Sequence, residues 1–246
     1  MKQAVTAVLY SPGTNCHEET AAAIELAGGK SEFVLLRDLL DGQTRLDRYQ
    51  AAVIPGGFSY GDHLGAGRIF ATLLVAQLRE QLVEFLAACK PLLGVCNGFQ
   101  VLTEAGILPQ RTPGERELAL VTNLSARFED RKVRLLVTGE KCMWTEGLEG
   151  QILYFPSAHG EGRPLAQDAA DLSSLHVVLR YCDTNGNPTQ HYPENPNGAP
   201  DAIAGITDET GLVLGLMPHP ERAFLPAHRS QDGFRLFQNL VAFLKQ

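Results

Sequence analysis

One cysteine, Cys96, stands between a short apolar run and a helix-like segment, with a glycine two residues away on either side. Residues 91–95 predict a buried strand, and residues 98–104 predict the start of a helix. The spacing Gly94-x-Cys96-x-Gly98 is typical of a nucleophile elbow, the sharp turn that mounts a reactive side chain between a strand and a helix. Because the positive end of a helix dipole stabilises a thiolate, the pattern predicts that Cys96 is a nucleophile.

A cysteine nucleophile needs a base, and His219 has the most informative surroundings of the seven histidines. It lies between Pro218 and Pro220, directly after an apolar run, so its backbone is restricted where it leaves the predicted strand. Glu221 follows two residues later and would lie on the same side as His219 if the segment stays extended. A thiol, an imidazole and an orienting carboxylate form a triad, which predicts that Cys96, His219 and Glu221 act together.

Acyl transfer also needs amide N–H groups that stabilise a developing oxyanion. Asn97 directly follows the nucleophile, and in an elbow the amide of this residue is a natural donor. Residues 53–62 end another predicted strand and contain Gly56 and Gly57, whose backbone can turn sharply and aim an N–H into a site. This loop is therefore the candidate for the second donor.

Strand-like and helix-like segments alternate along the first hundred residues, and they must position these groups. The predicted strands are residues 5–10, 32–36, 51–54, 91–95, 117–122, 131–138, 151–156, 175–182, 201–206 and 212–217. The predicted helices are residues 17–27, 69–88, 98–104 and 231–244. Such alternation predicts an α/β fold with a mostly parallel central sheet flanked by helices, and a site at the carboxyl ends of its strands. Residues 183–200, rich in Asn, Pro and Gly, predict a long surface loop rather than a linker, so we expect a single domain of residues 1–246.

Composition and charge argue against several classes of protein. The 246 residues carry a net charge of -7 and no dense run of Lys or Arg, which argues against a nucleic-acid partner. No stretch reaches the roughly 20 apolar residues of a membrane span, and the N-terminus lacks a signal-peptide pattern. Five cysteines without paired spacing predict reduced thiols in the cytoplasm, and no Cys/His cluster has zinc-ligand spacing, so we expect no metal.

Four segments together carry a family resemblance. They are Pro-Gly-Gly-Phe-Ser-Tyr-Gly-Asp at 55–62, Gly-Val-Cys-Asn-Gly-Phe-Gln at 94–100, Ala-His-Gly-Glu-Gly at 158–162 and Met-Pro-His-Pro-Glu-Arg at 217–222. The chain resembles the class I glutamine amidotransferases in this order of motifs from about residue 10 to residue 243. The resemblance implies a flavodoxin-like architecture. It also implies that the chain hydrolyses L-glutamine and passes the ammonia to a separate synthetase subunit, with the possibility of a small third subunit.

The same resemblance implies roles for single residues. Cys96 would attack the glutamine carboxamide, with His219 as the proton carrier and Glu221 as its orienting group. The oxyanion hole would combine the amides of Gly57 and Asn97, with the amide of Phe58 as the alternative to Gly57. The residues expected at the glutamine pocket are Phe58, Gln100 and His159.

The family resemblance also implies which partner receives the ammonia. The synthetase would convert formylglycinamide ribonucleotide to the amidine in purine biosynthesis. ATP and magnesium would bind that partner, because this chain has no P-loop and we expect no cofactor in it. Residues 181–198, which include Tyr-Pro-Glu-Asn-Pro-Asn-Gly at 192–198, resemble the glutaminase domain of a long single-chain form of such an enzyme. The start at Met1 favours a free subunit, so the type of partner stays open.

Other interpretations of the same residues remain open at this point. The chain could supply ammonia to a different acceptor or be a free-standing glutaminase, it could be a peptidase or another cysteine hydrolase on the same elbow, or it could be a regulatory module with an inert Cys96. We expect Cys89, Cys142 and Cys182 to be core or surface thiols. Cys16 follows a Pro-Gly turn and could lie near a strand-end site.

Overall fold

The computed structural model describes residues 4–166 and 172–246. The first part alternates strand and helix as predicted, in the order β1 (Thr6–Tyr10), α1 (His17–Leu26), β2 (Ser31–Leu35), α2 (Leu36–Leu40), β3 (Ala51–Ile54), α3 (Arg68–Ala87), β4 (Leu92–Val95) and α4 (Asn97–Glu104). The second part is rich in strands: β5 (Leu118–Thr122), β6 (Glu129–Val137), β7 (Ile152–His159), β8 (Glu161–Ala166), β9 (His176–Tyr181), β10 (Ile203–Thr207) and β11 (Val213–Leu216), with α5 (Phe234–Phe243) after them.

Nine of these strands form one sheet in the order β2-β1-β3-β4-β11-β10-β9-β6-β7. Strands β2, β1, β3, β4 and β11 pair in parallel, and antiparallel pairing extends the sheet from β11 to β7. Strands β5 and β8 form a separate antiparallel pair. The prediction of an α/β fold with a mostly parallel central sheet is confirmed. Since β4 and β11 are parallel neighbours, the residues after Val95 and Leu216 leave the sheet side by side.

Apolar periodicity decides how the helices pack on this sheet. In α3 the buried positions recur at three- and four-residue spacing, which places one stripe of the helix against the sheet. Those buried residues are Phe70, Ala71, Leu74, Leu78, Leu82, Phe85 and Leu86. Strands β3 and β4 are buried along their whole length, as expected for central parallel strands covered on both faces. None of the helices in the two described ranges is both long and apolar enough to cross a bilayer.

Several local features differ from the sequence-based expectations. The strand predicted at 32–36 ends at Leu35 and leads at once into α2, which the sequence pattern did not predict. Strand β8 was also not predicted, because its pairing with β5 is a long-range contact that no local pattern shows. The segment 183–200, predicted as a surface loop, is buried at its end, where Asn195 and Asn197 are 1% and 0% exposed. The side chains of these two residues donate hydrogen bonds to backbone carbonyl groups. Polar residues in this part of the segment therefore satisfy buried backbone groups and are not solvent-exposed.

Candidate active site

The Cys96 elbow has the strained backbone that a nucleophile turn requires. Cys96 adopts φ 51° and ψ −106° between β4 and α4, a conformation that is uncommon for a residue with a side chain. Its amide donates to the carbonyl of Leu216 at 2.8 Å, which fixes the turn to the neighbouring strand β11. A Cβ on Gly98 would lie 1.8 Å from the carbonyl oxygen of Ile54, so only glycine lets α4 approach β3 this closely.

The second member of the expected triad, His219, lies where β11 leaves the sheet beside the elbow. Its amide donates to the carbonyl of Pro156 in β7 at 2.7 Å. The Nδ1 atom of His219 lies 2.6 Å from Oε1 of Glu221, and both side chains are almost fully buried. The sequence pattern placed Glu221 beside His219 on the condition that the segment is extended, but it is not. Pro220–Arg222 form a 3-10 turn, and this turn brings the carboxylate to the imidazole.

The charges around His219 favour its protonated form. Burial alone would lower the pKa of the imidazole, but the Glu221 carboxylate and, next, Cys96 raise the pKa well above its ordinary value. Cys96 is 6% exposed, and its Sγ lies 3.6 Å from the carbonyl oxygen of Ala158. The structure thus brings a thiol, an imidazole and a carboxylate into one electrostatically linked group.

The loop that contains Gly57 is clamped by the loop before α1. The amides of Asn15 and Cys16 both donate to the carbonyl of Gly56, at 3.3 and 3.2 Å. The amide of Phe58 donates to Gly13 O at 2.9 Å, so this amide already has an acceptor here, and its role as the alternative oxyanion donor stays a prediction. The amide of Gly57 has no hydrogen-bond acceptor within residues 4–166 and 172–246. Gly57 is therefore the better candidate of the two donors.

A network of side-chain amides joins the Gly57 loop, the elbow and the hairpin between β7 and β8. Oδ1 of Asn97 accepts from the amide of Ser59 at 3.1 Å. Nδ2 of Asn97 donates to Asp62 Oδ1 at 3.2 Å and to Gln100 Oε1 at 3.0 Å. Nε2 of Gln100 donates to the carbonyl of Glu161 at 2.6 Å. Gln100, expected at the glutamine pocket, thus lines the cavity and connects the elbow to the β7–β8 hairpin by hydrogen bonds.

His159 is held in one neutral form beside the same cavity. Its Nδ1 lies 3.1 Å from Oδ1 of Asn123, while Nδ2 of Asn123 donates to the carbonyl of His159 at 2.8 Å. Burial, with a smaller effect of the His219 charge, lowers the pKa of His159 to about 3. A neutral ring that donates from Nδ1 presents an acceptor lone pair at Nε2, which has no partner in the described chain.

Cys16 is a site residue for which the sequence offers only a weak signal, its place after a Pro-Gly turn. Its Sγ lies 3.9 Å from Nδ1 of His219 and 3.2 Å from Oδ1 of Asn15, and burial raises the pKa of its thiol. Cys16, His219 and Glu221 bring three possible metal ligands within 4.8 Å of one another. However, the 2.6 Å between His219 and Glu221 is a hydrogen-bond distance, shorter than the ~3.3 Å between two ligands on one tetrahedral zinc ion. The expectation of no metal stays a prediction.

These groups surround an open cavity of about 250 Å³ at the carboxyl ends of the strands. Its lining residues are Asn15, Cys16, Gly57, Phe58, Asp62, Ala66, Cys96, Gln100, Phe128, Ala158, His159, Gly160, Glu161, His219 and Arg222. Phe58 and Phe128, both lining residues that are half exposed, pack together with ring centroids 6.4 Å apart. The volume lies just below the range for drug-sized ligands, which suits a single amino acid. Cys96 and the three residues expected at the pocket therefore share one cavity.

Comparison with known proteins agrees with this architecture. Residues 3–244 match the family model of the CobB/CobQ-like glutamine amidotransferase domain. The phosphoribosylformylglycinamidine synthase subunit PurQ of Dehalococcoides mccartyi is 39% identical over the full length of both chains. The PurQ subunit of Methanococcus maripaludis is 42% identical over 88% of this chain and 81% of that protein.

Solved structures give the same result. The structure of PurLQS from Thermotoga maritima contains a chain that is 32% identical, with a TM-score of 0.79 over 98% of this chain and 99% of that chain. A glutamine amidotransferase from Thermotoga maritima has a TM-score of 0.58 at 14% identity over 99% of this chain and 99% of that chain, which supports the fold alone. The chain therefore belongs to the CobB/CobQ-like glutamine amidotransferase family and, within that family, to the PurQ subunits of phosphoribosylformylglycinamidine synthase.

Proposed function

We propose that this glutaminase subunit hydrolyses L-glutamine with Cys96 as nucleophile, His219 as proton carrier and Glu221 as the group that orients His219. The single observation that carries the proposal is the strained elbow of Cys96 beside a buried His219–Glu221 pair. The hydrogen bond between Glu221 and Nδ1 fixes the imidazole ring and leaves Nε2 to exchange a proton with the thiol and the substrate.

The reaction proceeds through two tetrahedral intermediates. The Cys96 thiolate attacks the carboxamide carbon, and the carbonyl oxygen becomes an oxyanion that the amides of Gly57 and Asn97 stabilise, each worth about 3 kcal/mol. His219 then gives its proton to the leaving nitrogen, ammonia departs, and a γ-glutamyl thioester remains on Cys96. Water, deprotonated by His219, attacks the thioester, and glutamate is released as the thiolate forms again.

The ammonia passes to a synthetase subunit that converts formylglycinamide ribonucleotide to formylglycinamidine ribonucleotide in purine biosynthesis, and ATP with Mg²⁺ binds to that partner. The relatives named as subunits of phosphoribosylformylglycinamidine synthase support this acceptor. The relative named PurLQS supports a complex with a synthetase and with a small third subunit. Residues 1–246 act as one domain in the cytoplasm, which the continuous nine-stranded sheet and the five free cysteines support.

A coupled assay tests the proposal. Glutamate and the amidine product are measured with glutamine or with ammonium chloride as nitrogen source, in the presence of the synthetase and third subunits, the nucleotide substrate and ATP. Cys96→Ala should abolish glutamine-dependent product formation and leave ammonia-dependent formation within about twofold of wild type. The matched control is Cys89→Ser, because Cys89 is an exposed thiol that does not line the cavity.

Three outcomes would overturn the proposal. Glutamine-dependent synthesis that survives in Cys96→Ala would exclude this thiol as the nucleophile. Strong glutamate production by the chain alone, unchanged by the synthetase, would indicate a free-standing glutaminase. Cleavage of peptides without turnover of glutamine would indicate a different cysteine hydrolase on the same elbow.

A further inference from the structure

The loop that carries Asp62 has an unusual backbone next to the cavity. Three consecutive residues, Tyr60, Gly61 and Asp62, adopt left-handed φ angles of 53°, 68° and 51°. Two of them carry side chains that disfavour this conformation. The conformation is held by hydrogen bonds from the amide of Tyr60 to Pro12 O at 2.7 Å and from the amide of Gly61 to Phe58 O at 2.8 Å. It places Asp62 in the wall of the cavity that also contains Cys96.

The Asp62 carboxylate is oriented from one side only. Its Oδ1 accepts from the amide of Gly67 at 3.3 Å and from Nδ2 of Asn97 at 3.2 Å. Within the part of the chain that the structure describes, both of these bonds go to Oδ1, no donor reaches Oδ2, and no Lys or Arg forms an ion pair with the carboxylate. Burial raises the pKa of this carboxyl group, while the bonds from Gly67 and Asn97 and, last, the charge of His63 act in the opposite direction. The site thus holds a partly desolvated carboxylate that forms no ion pair with a lysine or arginine of the described residues.

Asn97 connects Asp62 to the Cys96 elbow. The backbone amide of Asn97 is a proposed oxyanion donor, and its side-chain Nδ2 donates to both Asp62 and Gln100. Asn97 therefore connects the proposed oxyanion position to the side-chain oxygens of Asp62 and Gln100. In glutamine, three C–C bonds separate the carboxamide carbon from the α-carbon, which carries an ammonium group. A substrate whose carboxamide lies at Cys96 therefore needs an anion elsewhere in the same cavity, and Asp62 lines that cavity.

We propose that the Asp62 carboxylate binds the α-ammonium group of glutamine and thereby selects the free amino acid over glutamine that is acylated at nitrogen or lacks the amino group. This inference rests on the proposed function and adds the recognition of the substrate. Oδ1 stays bonded to Asn97 and Gly67, while Oδ2 accepts from the ammonium. Glu161 also lines the cavity and carries a carboxylate, so it is the competing candidate for binding the ammonium. Its backbone carbonyl accepts a hydrogen bond from Gln100.

The test compares two substrates in the complete complex with the synthetase and third subunits. The substrates are L-glutamine and 4-carbamoylbutanoate, which has the same carboxamide and carboxylate but no amino group. The variants are Asp62→Asn, which keeps the size and an acceptor oxygen, and Glu161→Gln as the matched control. For L-glutamine, Asp62→Asn should raise KM about 10- to 100-fold with a much smaller change in kcat, as expected for loss of a charge-assisted hydrogen bond.

The same measurements also compare kcat/KM for the two substrates. Wild type should lose a similar factor in kcat/KM when the amino group is removed from the substrate, and Asp62→Asn should lose nothing further with 4-carbamoylbutanoate. Glu161→Gln should keep the wild-type ratio between the two substrates.

Each alternative result has its own meaning. If Asp62→Asn lowers kcat equally for both substrates, Asp62 only positions Asn97 and the inference is wrong. If Glu161→Gln removes the preference instead, the ammonium binds to Glu161 and the inference is again wrong. A wild-type complex that makes product from ammonium chloride but never from glutamine would instead contradict the proposed function, so the two failures can be told apart.

Discussion

Nδ1 of His219 lies 2.6 Å from Oε1 of Glu221, although only Pro220 separates the two residues along the chain. The 3-10 turn of Pro220–Arg222 makes this contact possible, and it begins at a proline whose φ already suits the turn. The carboxylate stabilises the imidazolium and fixes which ring nitrogen faces the rest of the site. A turn of three residues therefore brings the carboxylate to the imidazole without any contribution from Cys96.

Glu221→Gln should lower the pKa of His219, because the carboxylate is the main cause that raises it. Glutamine-dependent activity should fall, and His219→Ala should cost roughly 10- to 100-fold more than Glu221→Gln, since orientation is a smaller task than proton transfer. The shift is measured by NMR titration of the His219 ring in both proteins, and the activities by kcat/KM for glutamine. Equal losses in the two variants would contradict the assigned roles.

Gly57→Ala should strongly slow glutamine hydrolysis. Gly57 has φ 146°, and a Cβ there would lie 2.7 Å from both Asn15 N and Thr14 Cα in the loop that clamps it. The backbone must shift to relieve these contacts, so the amide would leave the oxyanion position and kcat should fall by about 10²- to 10³-fold. Gly139→Ala is the matched control, because nothing lies within 4 Å of the added carbon. Near-normal kcat in Gly57→Ala would exclude Gly57 as an oxyanion donor.

The parts of the molecule that the sequence predicts are those built from local signals. The elbow at Cys96 and the alternation of strands and helices follow from glycine spacing and apolar runs, and both occur in the structure. The approach of Cys16 to His219 joins residues 203 positions apart, and no local pattern contains that information. Strand β8 depends in the same way on its pairing with β5, and the burial of Asn197 depends on the β7–β8 hairpin that it contacts.

Asn197→Ala should destabilise the fold, since Asn197 is fully buried and its Nδ2 donates to the carbonyl of Gly162 at 2.7 Å. The substitution leaves that carbonyl without its donor, which costs about 1–3 kcal/mol in the free energy of unfolding. Urea unfolding at neutral pH measures the change, with Asn185→Ala as the control because Asn185 is exposed. A change below about 0.5 kcal/mol would mean that residues 195–199 behave like ordinary surface chain.

The two buried histidines should give the stability of the fold opposite dependences on pH. His219 has a raised pKa, so its contribution is fully present below about pH 6.5 and is lost as the pH rises through the folded-state pKa. His159 has a pKa of about 3, so its contribution is fully present above about pH 6.5. As the pH falls from there toward 3, the unfolded chain binds a proton that the folded chain does not.

His159→Gln should therefore flatten the acid side of the stability curve. Between about pH 6.5 and 4, the difference in unfolding free energy between wild type and His159→Gln should shrink by up to about 1.4 kcal/mol per pH unit. Urea unfolding at half-unit pH steps measures this difference, and taking the difference cancels the titration of carboxylates that both proteins share. His191→Gln is the control, because it makes the same substitution at an exposed histidine. Parallel curves for wild type and His159→Gln would show that His159 is not held neutral in the fold.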